Sequence, residues 1–418
     1  MSRAQVLALI SLLAAHPAHA FWQLQAKLAP EQAQRASPAA ISAVLISAID
    51  AQQLASTDFI EVPLSEFVKR RVERLRVEQR PAHNGLASAV AWFGKVHGEP
   101  DSTVVLTHTG ATDSGALAGY INSKAGIFEI SPSAQGTLLM QIDEAHFPKC
   151  GGALPALRST TPAMVATPAA SAGKHALTGL PPADLASEID VLIVFRPGSV
   201  TQLGSQAAAQ TFAQNAVNVS NQAFSNSQMI ARFRLAGVRF TPEVDAGTAS
   251  AELNWLSANA QVATWRNEVR ADLVSVIAEF SDACGVGYLM NQLGTGFANS
   301  AFQASARSCA VGNLSYPHEH GHNMGLMHDP GNGGNSLFAY GFGHFVNGSY
   351  RTVMSYSNNC ASGCTRVPYF SNPNVSYNSV ATGIANQRDN ARAGNTTAPD
   401  VANFRAANTN SIFLNGFE

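Results

Sequence analysis

Apolar positions in the second half of the chain fall into short continuous runs, and stretches of helical spacing separate them. Residues 189–195 (IDVLIVF) predict a buried strand, 206–224 a helix rich in Ala, Gln and Asn, and 230–240 a second strand. A further helix is predicted over 251–268 and a further buried strand over 271–277. Strands alternating with helices of this length imply α/β organisation around a largely parallel sheet. The first half reads differently. Residues 103–106, 119–121 and 137–142 are short apolar or alternating runs punctuated by Gly, Asn and Ser, which predicts a β-rich domain. Between the halves, residues 153–187 are rich in Pro, Ala, Ser and Thr and show neither periodicity, the composition of a linker.

Composition narrows this picture. The 418 residues are 46% hydrophobic and 13% charged, which suits folded domains rather than disorder or coiled coil. Lys and Arg total 26 against 28 Asp and Glu, for a net charge of −2, so nothing in the bulk charge draws the chain to nucleic acid or an anionic membrane. Residues 68–80 are locally basic, but interleaved Glu, Val and Leu predict a solvated amphipathic segment. At the start, Arg3, an apolar run over 6–15 and Ala18-His19-Ala20 before Phe21 read as a secretory signal peptide over residues 1–20; the run is too short to span a bilayer. The expected location is therefore extracellular, where cysteines pair. Of the five cysteines, Cys284, Cys309, Cys360 and Cys364 lie late, and the simplest pairing joins Cys284 to Cys309 and Cys360 to Cys364. Four cysteines permit three connectivities, and the spacing alone does not choose. Cys150 is left over.

The densest chemistry lies at residues 318–329, HEHGHNMGLMHD. On a helix, positions four apart share a face, so His318 and His322 can offer two imidazoles to one metal, while His320 points away and is expected to pack. Gly325 can end the helix with a positive φ and turn the chain back, which lets His328 supply a third nitrogen. Three neutral nitrogens suit zinc and leave one tetrahedral position for water, the composition of a catalytic site. Glu319 does not share the direction of its neighbour His318 and is placed to act on the water as general base.

The pattern HExxHxxGxxH, followed by Thr352-Val353-Met354-Ser355-Tyr356 with Met354 26 residues beyond the last histidine, resembles the metzincin zinc metalloendopeptidases. That resemblance implies an α/β (α+β) catalytic domain with a mixed twisted sheet, an active-site helix and a methionine turn, over residues 188–407. It assigns Met354 to an apolar floor beneath the metal and Tyr356 to a fifth ligand or oxyanion partner. Asp329 after the third histidine is similar to the reprolysin branch. Residues 367–373, 388–392 and 398–404, with Ser308-Cys309-Ala310, resemble the secreted bacterial peptidyl-Asp metalloendopeptidases, which cleave on the amino side of Asp or Glu.

Such selectivity needs a cation in the pocket for the residue after the scissile bond. Arg366 is the nearest arginine after the turn, with Arg388, Arg392 and Arg351 as further candidates. Cys150, in Pro148-Lys149-Cys150-Gly151-Gly152, resembles the cysteine switch of matrix metalloproteinase propeptides, whose thiolate holds the fourth zinc position. The expectation is a zymogen: signal peptide 1–20, β-rich propeptide 21–152, linker 153–187 cut by an activating protease, catalytic domain 188–407 and an unassigned apolar tail 408–418. Its partners would be protein or peptide substrates, with no nucleic acid and no membrane; calcium is left open. The rivals are apolar selectivity after the scissile bond and a catalytically silent binding module.

Overall fold

The computed structural model describes residues 22–47, 51–64, 69–110, 115–157 and 187–405, so the expected signal peptide, most of the linker and the C-terminal tail lie outside the described residues. Its first half is a curled antiparallel sheet. Strands β1 (Leu24–Lys27) and β2 (Ala40–Ile46) flank helix α1 (Pro30–Ala36), and α2 (Ala51–Ser56) leads into β3 (Phe59–Pro63). The meander continues through β4 (Lys69–Arg80), β5 (Ala89–Val96), β6 (Thr103–Thr109), β7 (Ala116–Ser123), β8 (Gly126–Ser133) and β9 (Gly136–Ile142). Its order is β1-β2-β9-β8-β7-β6-β5-β4-β3. The described part of the basic stretch, 69–80, is thus a strand, solvated as expected on most of its length, with Val72 its one buried side chain.

The second half is a mixed α/β unit. Strand β10 (Ala153–Pro155) joins β11 (Glu188–Phe195), β12 (Arg232–Phe240), β13 (Leu273–Ala278), β14 (Gly285–Leu289) and β15 (Phe302–Ala306) in the order β10-β14-β15-β13-β11-β12. The ladders are parallel except for β14 against β15, which makes the sheet mixed. Residues 153–155, read as the start of the linker, instead form its edge strand. Helix α3 (Pro197–Leu203) and α4 (Gln206–Asn226) follow β11, the latter capped by the Ser205 hydroxyl on Ala208 N. The stretch predicted as one helix over 251–268 is two, α5 (Ala249–Ala258) and α6 (Ala260–Val269). The break is at Asn259, whose extended backbone and side chain cap α6.

Helix α4 is buried along nearly its whole length because it packs on β12 of its own sheet and on β6 and β7 of the first. Its polar residues meet polar partners there: Asn218 Nδ2 donates to Thr107 Oγ1 (2.9 Å), which donates to Asn215 Oδ1 (3.0 Å). After β15, the short α7 (Arg307–Ala310) precedes α8 (Ser315–Asn323). The remainder is irregular, with small ladders β16 (Phe345–Val346), β17 (Tyr350–Arg351) and β18 (Thr365–Arg366), the hairpin β19 (Ser376–Tyr377) and β20 (Val380–Ala381), and α9 (Asn390–Val401). Disulfides join Cys284 to Cys309 and Cys360 to Cys364, the simplest of the three connectivities.

Candidate metal centre

Helix α8 carries the centre. Pro317 falls in its first turn, where a backbone N–H has no helical acceptor to lose. At the other end Asn323 Nδ2 donates to Tyr288 O (2.8 Å) and Phe302 O (3.0 Å), which pins the helix to the sheet beneath. Gly325 follows with φ +78°, a conformation costly to other residues, and the chain turns back as the histidine spacing requires.

The turn brings His328 against the helix. The ligand-capable atoms of His318, His322, His328 and Cys150 all lie within 4.8 Å of one another. His318 Nε2 and His328 Nε2 are 3.2 Å apart. Each ring donates its other nitrogen to a carbonyl: His318 Nδ1 to Val353 O (2.8 Å), His322 Nδ1 to Leu326 O (2.9 Å) and His328 Nδ1 to Asn332 O (3.3 Å). Those bonds fix the tautomer and aim three Nε2 lone pairs inward, the arrangement that backs histidine on a metal. His322 Nε2 is buried with no partner among the described residues, as a ligand atom would be. Burial pushes all three rings below the ordinary histidine range, His328 to about 4, so each is neutral at pH 7 and able to ligate. The donor set fits zinc. His320 packs, as expected, against Phe233 and Tyr316, with Nδ1 3.1 Å from Asn323 Oδ1.

Glu319 is buried, and burial raises its carboxyl to about 8. Its Oε1 accepts from the Cys150 thiol at 3.2 Å, while Oε2 makes no hydrogen bond to the described residues. Cys150 Sγ is 4.0 Å from His328 Nε2. Burial, then Glu319, pushes the thiol up in the absence of a cation. The chain around Cys150 runs along β14: Cys284 N donates to Lys149 O (2.9 Å) and Gly151 N to Gly285 O (2.7 Å), leading into the parallel β10–β14 ladder. Met354 is fully buried under α8, and a Cβ on Gly321 would sit 2.5 Å from its sulfur, so only glycine admits this approach. The Tyr356 ring lies 4.2 Å from that of His328, on the side of the centre that Cys150 occupies.

Sequence reasoning missed the strut beneath this site. Asp329 accepts from Ser355 Oγ (3.2 Å), Tyr356 N (3.0 Å), Asn332 Nδ2 (2.9 Å) and Asn359 Nδ2 (2.9 Å), and so ties the His328 loop to the Met354 turn. Its position directly after His328 was the available signal. Arg366 is buried beside the centre, donating to Asn313 O (2.8 Å) and Ser355 O (3.2 Å). Arg388 and Arg392 are engaged elsewhere, with His344 Nδ1 and Asn386 Oδ1 respectively.

Comparison with known proteins agrees with this chemistry. The profile of the reprolysin-like metallo-peptidase family M12B matches residues 186–388. A peptidyl-Asp metalloendopeptidase of Xanthomonas campestris pv. campestris is 31% identical over 318 residues, 73% of this chain and 71% of the relative. One from Stenotrophomonas maltophilia (strain R551-3) is 29% identical over 366 residues, 81% of this chain and 82% of the relative. A solved structure described as a chaperone-substrate complex aligns with TM-score 0.42 and 18% identity over 73% of this chain and 43% of that one, too loosely to assign a fold.

Proposed function

The chain belongs to the reprolysin-like metallopeptidases, with the peptidyl-Asp metalloendopeptidases as relatives, and is a zinc metalloendopeptidase; from that premise we propose that it is exported as a zymogen and cleaves proteins on the amino side of Asp or Glu. The observation that carries the reading is the convergence of three outward-braced imidazoles, the Glu319 carboxylate and the Cys150 thiol on one point.

In this reading His318, His322 and His328 hold zinc through Nε2, over the Met354 floor. Zinc supplies Lewis acidity toward the peptide carbonyl and lowers the pKa of water. Glu319 takes a proton from the attacking water and later hands it to the leaving amine, for which Oε2 is the free oxygen. Tyr356, whose ring lies against that of His328, donates to the carbonyl oxygen as charge develops on it. Arg366 lends positive charge to the pocket after the scissile bond. Cys150 would take the water's place as a thiolate once zinc is bound, and residues 149–155 cover the β14 edge where an extended substrate would pair. Cleavage within the linker and departure of the first sheet would expose both. The polar face that α4 turns toward β6 supports this, since a surface bound for water keeps hydroxyls and amides.

The test is to incubate the protein with a denatured protein mixture, with and without a zinc chelator, and sequence the new N-termini. Termini beginning with Asp or Glu that vanish with chelator are expected. Apolar termini would remove the acidic selectivity and leave general reprolysin-like proteolysis; absence of cleavage after loss of the first sheet would favour a silent binding module. In the same assay the uncleaved Cys150→Ser chain should cut faster than the uncleaved wild type, and equal latency would place it in the covered β14 edge rather than in the thiol.

A further inference from the structure

We propose that Arg351, seconded by Arg366, is the cation that reads the acidic side chain of the substrate, and that Glu144 occupies its place in the full chain as an internal stand-in carboxylate. The inference rests on the Asp/Glu selectivity put forward above and names what enforces it.

Strands β17 and β18 run parallel with Arg351 beside Arg366. Two guanidinium groups therefore lie on adjacent strands, and they are 5% and 6% exposed. Arg366 is fastened to Asn313 O, just before α8, and to Ser355 O, just after Met354, so this cationic pair adjoins the wall of the metal centre. Arg351 has one ion pair, with Glu144, and its Nε and Nη1 have no partner among the described residues. Glu144 closes both contacts. Its Oε2 accepts from Arg351 Nη2 and its Oε1 from the backbone N–H of Arg366, each at 2.6 Å. Asp329, the other carboxylate felt by Arg351, is already consumed by its four donors.

Glu144 stands in the short 3-10 turn Glu144–His146, six residues before Cys150 on the same segment. The segment thus delivers a thiol to the imidazoles and a carboxylate to the arginines. When it leaves, two like charges remain beside the centre with unused N–H donors and no carboxylate. An apolar side chain entering there would leave them desolvated and unpaired, whereas one carboxylate on a short stem restores what Glu144 supplied. Fork-shaped donors suit that group better than an ammonium would.

The experiment compares kcat/KM on two peptides that differ only in Asp or Asn after the scissile bond, using the cleavage-competent protein. Wild type should prefer Asp, and Arg351→Gln, with zinc content and folding verified, should lower the Asp:Asn ratio by roughly 30-fold or more, with Arg351→Lys keeping part of it. A wild type indifferent to the charge overturns the selectivity reading and this inference with it. A wild type that prefers Asp beside a folded Arg351→Gln that prefers it equally overturns the assignment to Arg351 alone. Should Arg351→Gln fail to fold, uncleaved chains freed of the thiol decide: adding Glu144→Gln to Cys150→Ser should raise cleavage of the Asp peptide about tenfold or more over Cys150→Ser alone, and an unchanged rate overturns the stand-in.

Discussion

At the scale of single residues the centre is a set of neutral nitrogens around which one carboxylate has a different task. Glu319 neighbours His318 in sequence, yet no imidazole nitrogen is among its hydrogen-bond partners; it meets the thiol that the proposed mechanism replaces by water. Glu319→Gln should keep zinc at wild-type stoichiometry, because the three rings are braced by Val353, Leu326 and Asn332 carbonyls, and should lower kcat by at least about 10²-fold. Metal content and peptide turnover measured on one preparation check this; a fully active Gln variant would mean that the base is misassigned. The three histidines and Glu319 were legible because helical periodicity and one glycine determine their directions. The carbonyls that hold the rings were not, since any residue carries a carbonyl and only the fold aims it. Glu144 was hidden for a related reason: 207 residues separate it from Arg351, and no local pattern connects them.

At the scale of elements, runs of apolar residues located strands well, as 189–195 against Glu188–Phe195 and 206–224 against Gln206–Asn226 illustrate. Periodicity failed at Asn259, where apolar spacing continues through a cap and only the capping amide marks the break. It was silent about β10, whose three residues pair through backbone alone in a Pro- and Ala-rich stretch. The turn after α8 was legible, and it makes the connection between element and site testable. A methyl group on Gly325 would meet a φ of +78° and lie 3.1 Å from Leu337 Cδ2. Gly325→Ala should therefore cost about 1–2 kcal/mol of stability and weaken zinc binding by moving His328. Thermal melts paired with zinc titration read both. Lost stability with unchanged zinc affinity would show that the Asp329 strut, rather than the turn, sets the position of His328.

At the scale of the molecule, the two sheets meet through α4 and again beside α8, where Glu129 of β8 accepts from Gly312 N at 3.0 Å. This carboxyl is buried, and burial raises it to about 8 against the opposing pull of Arg307 and the Gly312 N–H. Arg307 is also bound to Glu279 (2.6 Å) and Ala36 O (3.0 Å), so it does not neutralise Glu129 alone. An acid whose pKa rises on folding holds a proton in the native chain that the unfolded chain has released. Over the interval from the ordinary glutamate value near 4.5 to about 8, native binds more protons than unfolded, and stability falls as pH rises. Below that interval both states are protonated, above it both are ionised, and the contribution is flat. Glu129→Gln keeps an acceptor for Gly312 and removes the charge, so the variant should melt progressively higher than wild type as pH goes from 5 to 8. The difference between the two melting curves isolates this group from the histidines and the thiol, which titrate in both proteins. Parallel curves across that range would mean that Glu129 ionises freely in the folded chain, and that the junction beside α8 is wetter than its burial implies.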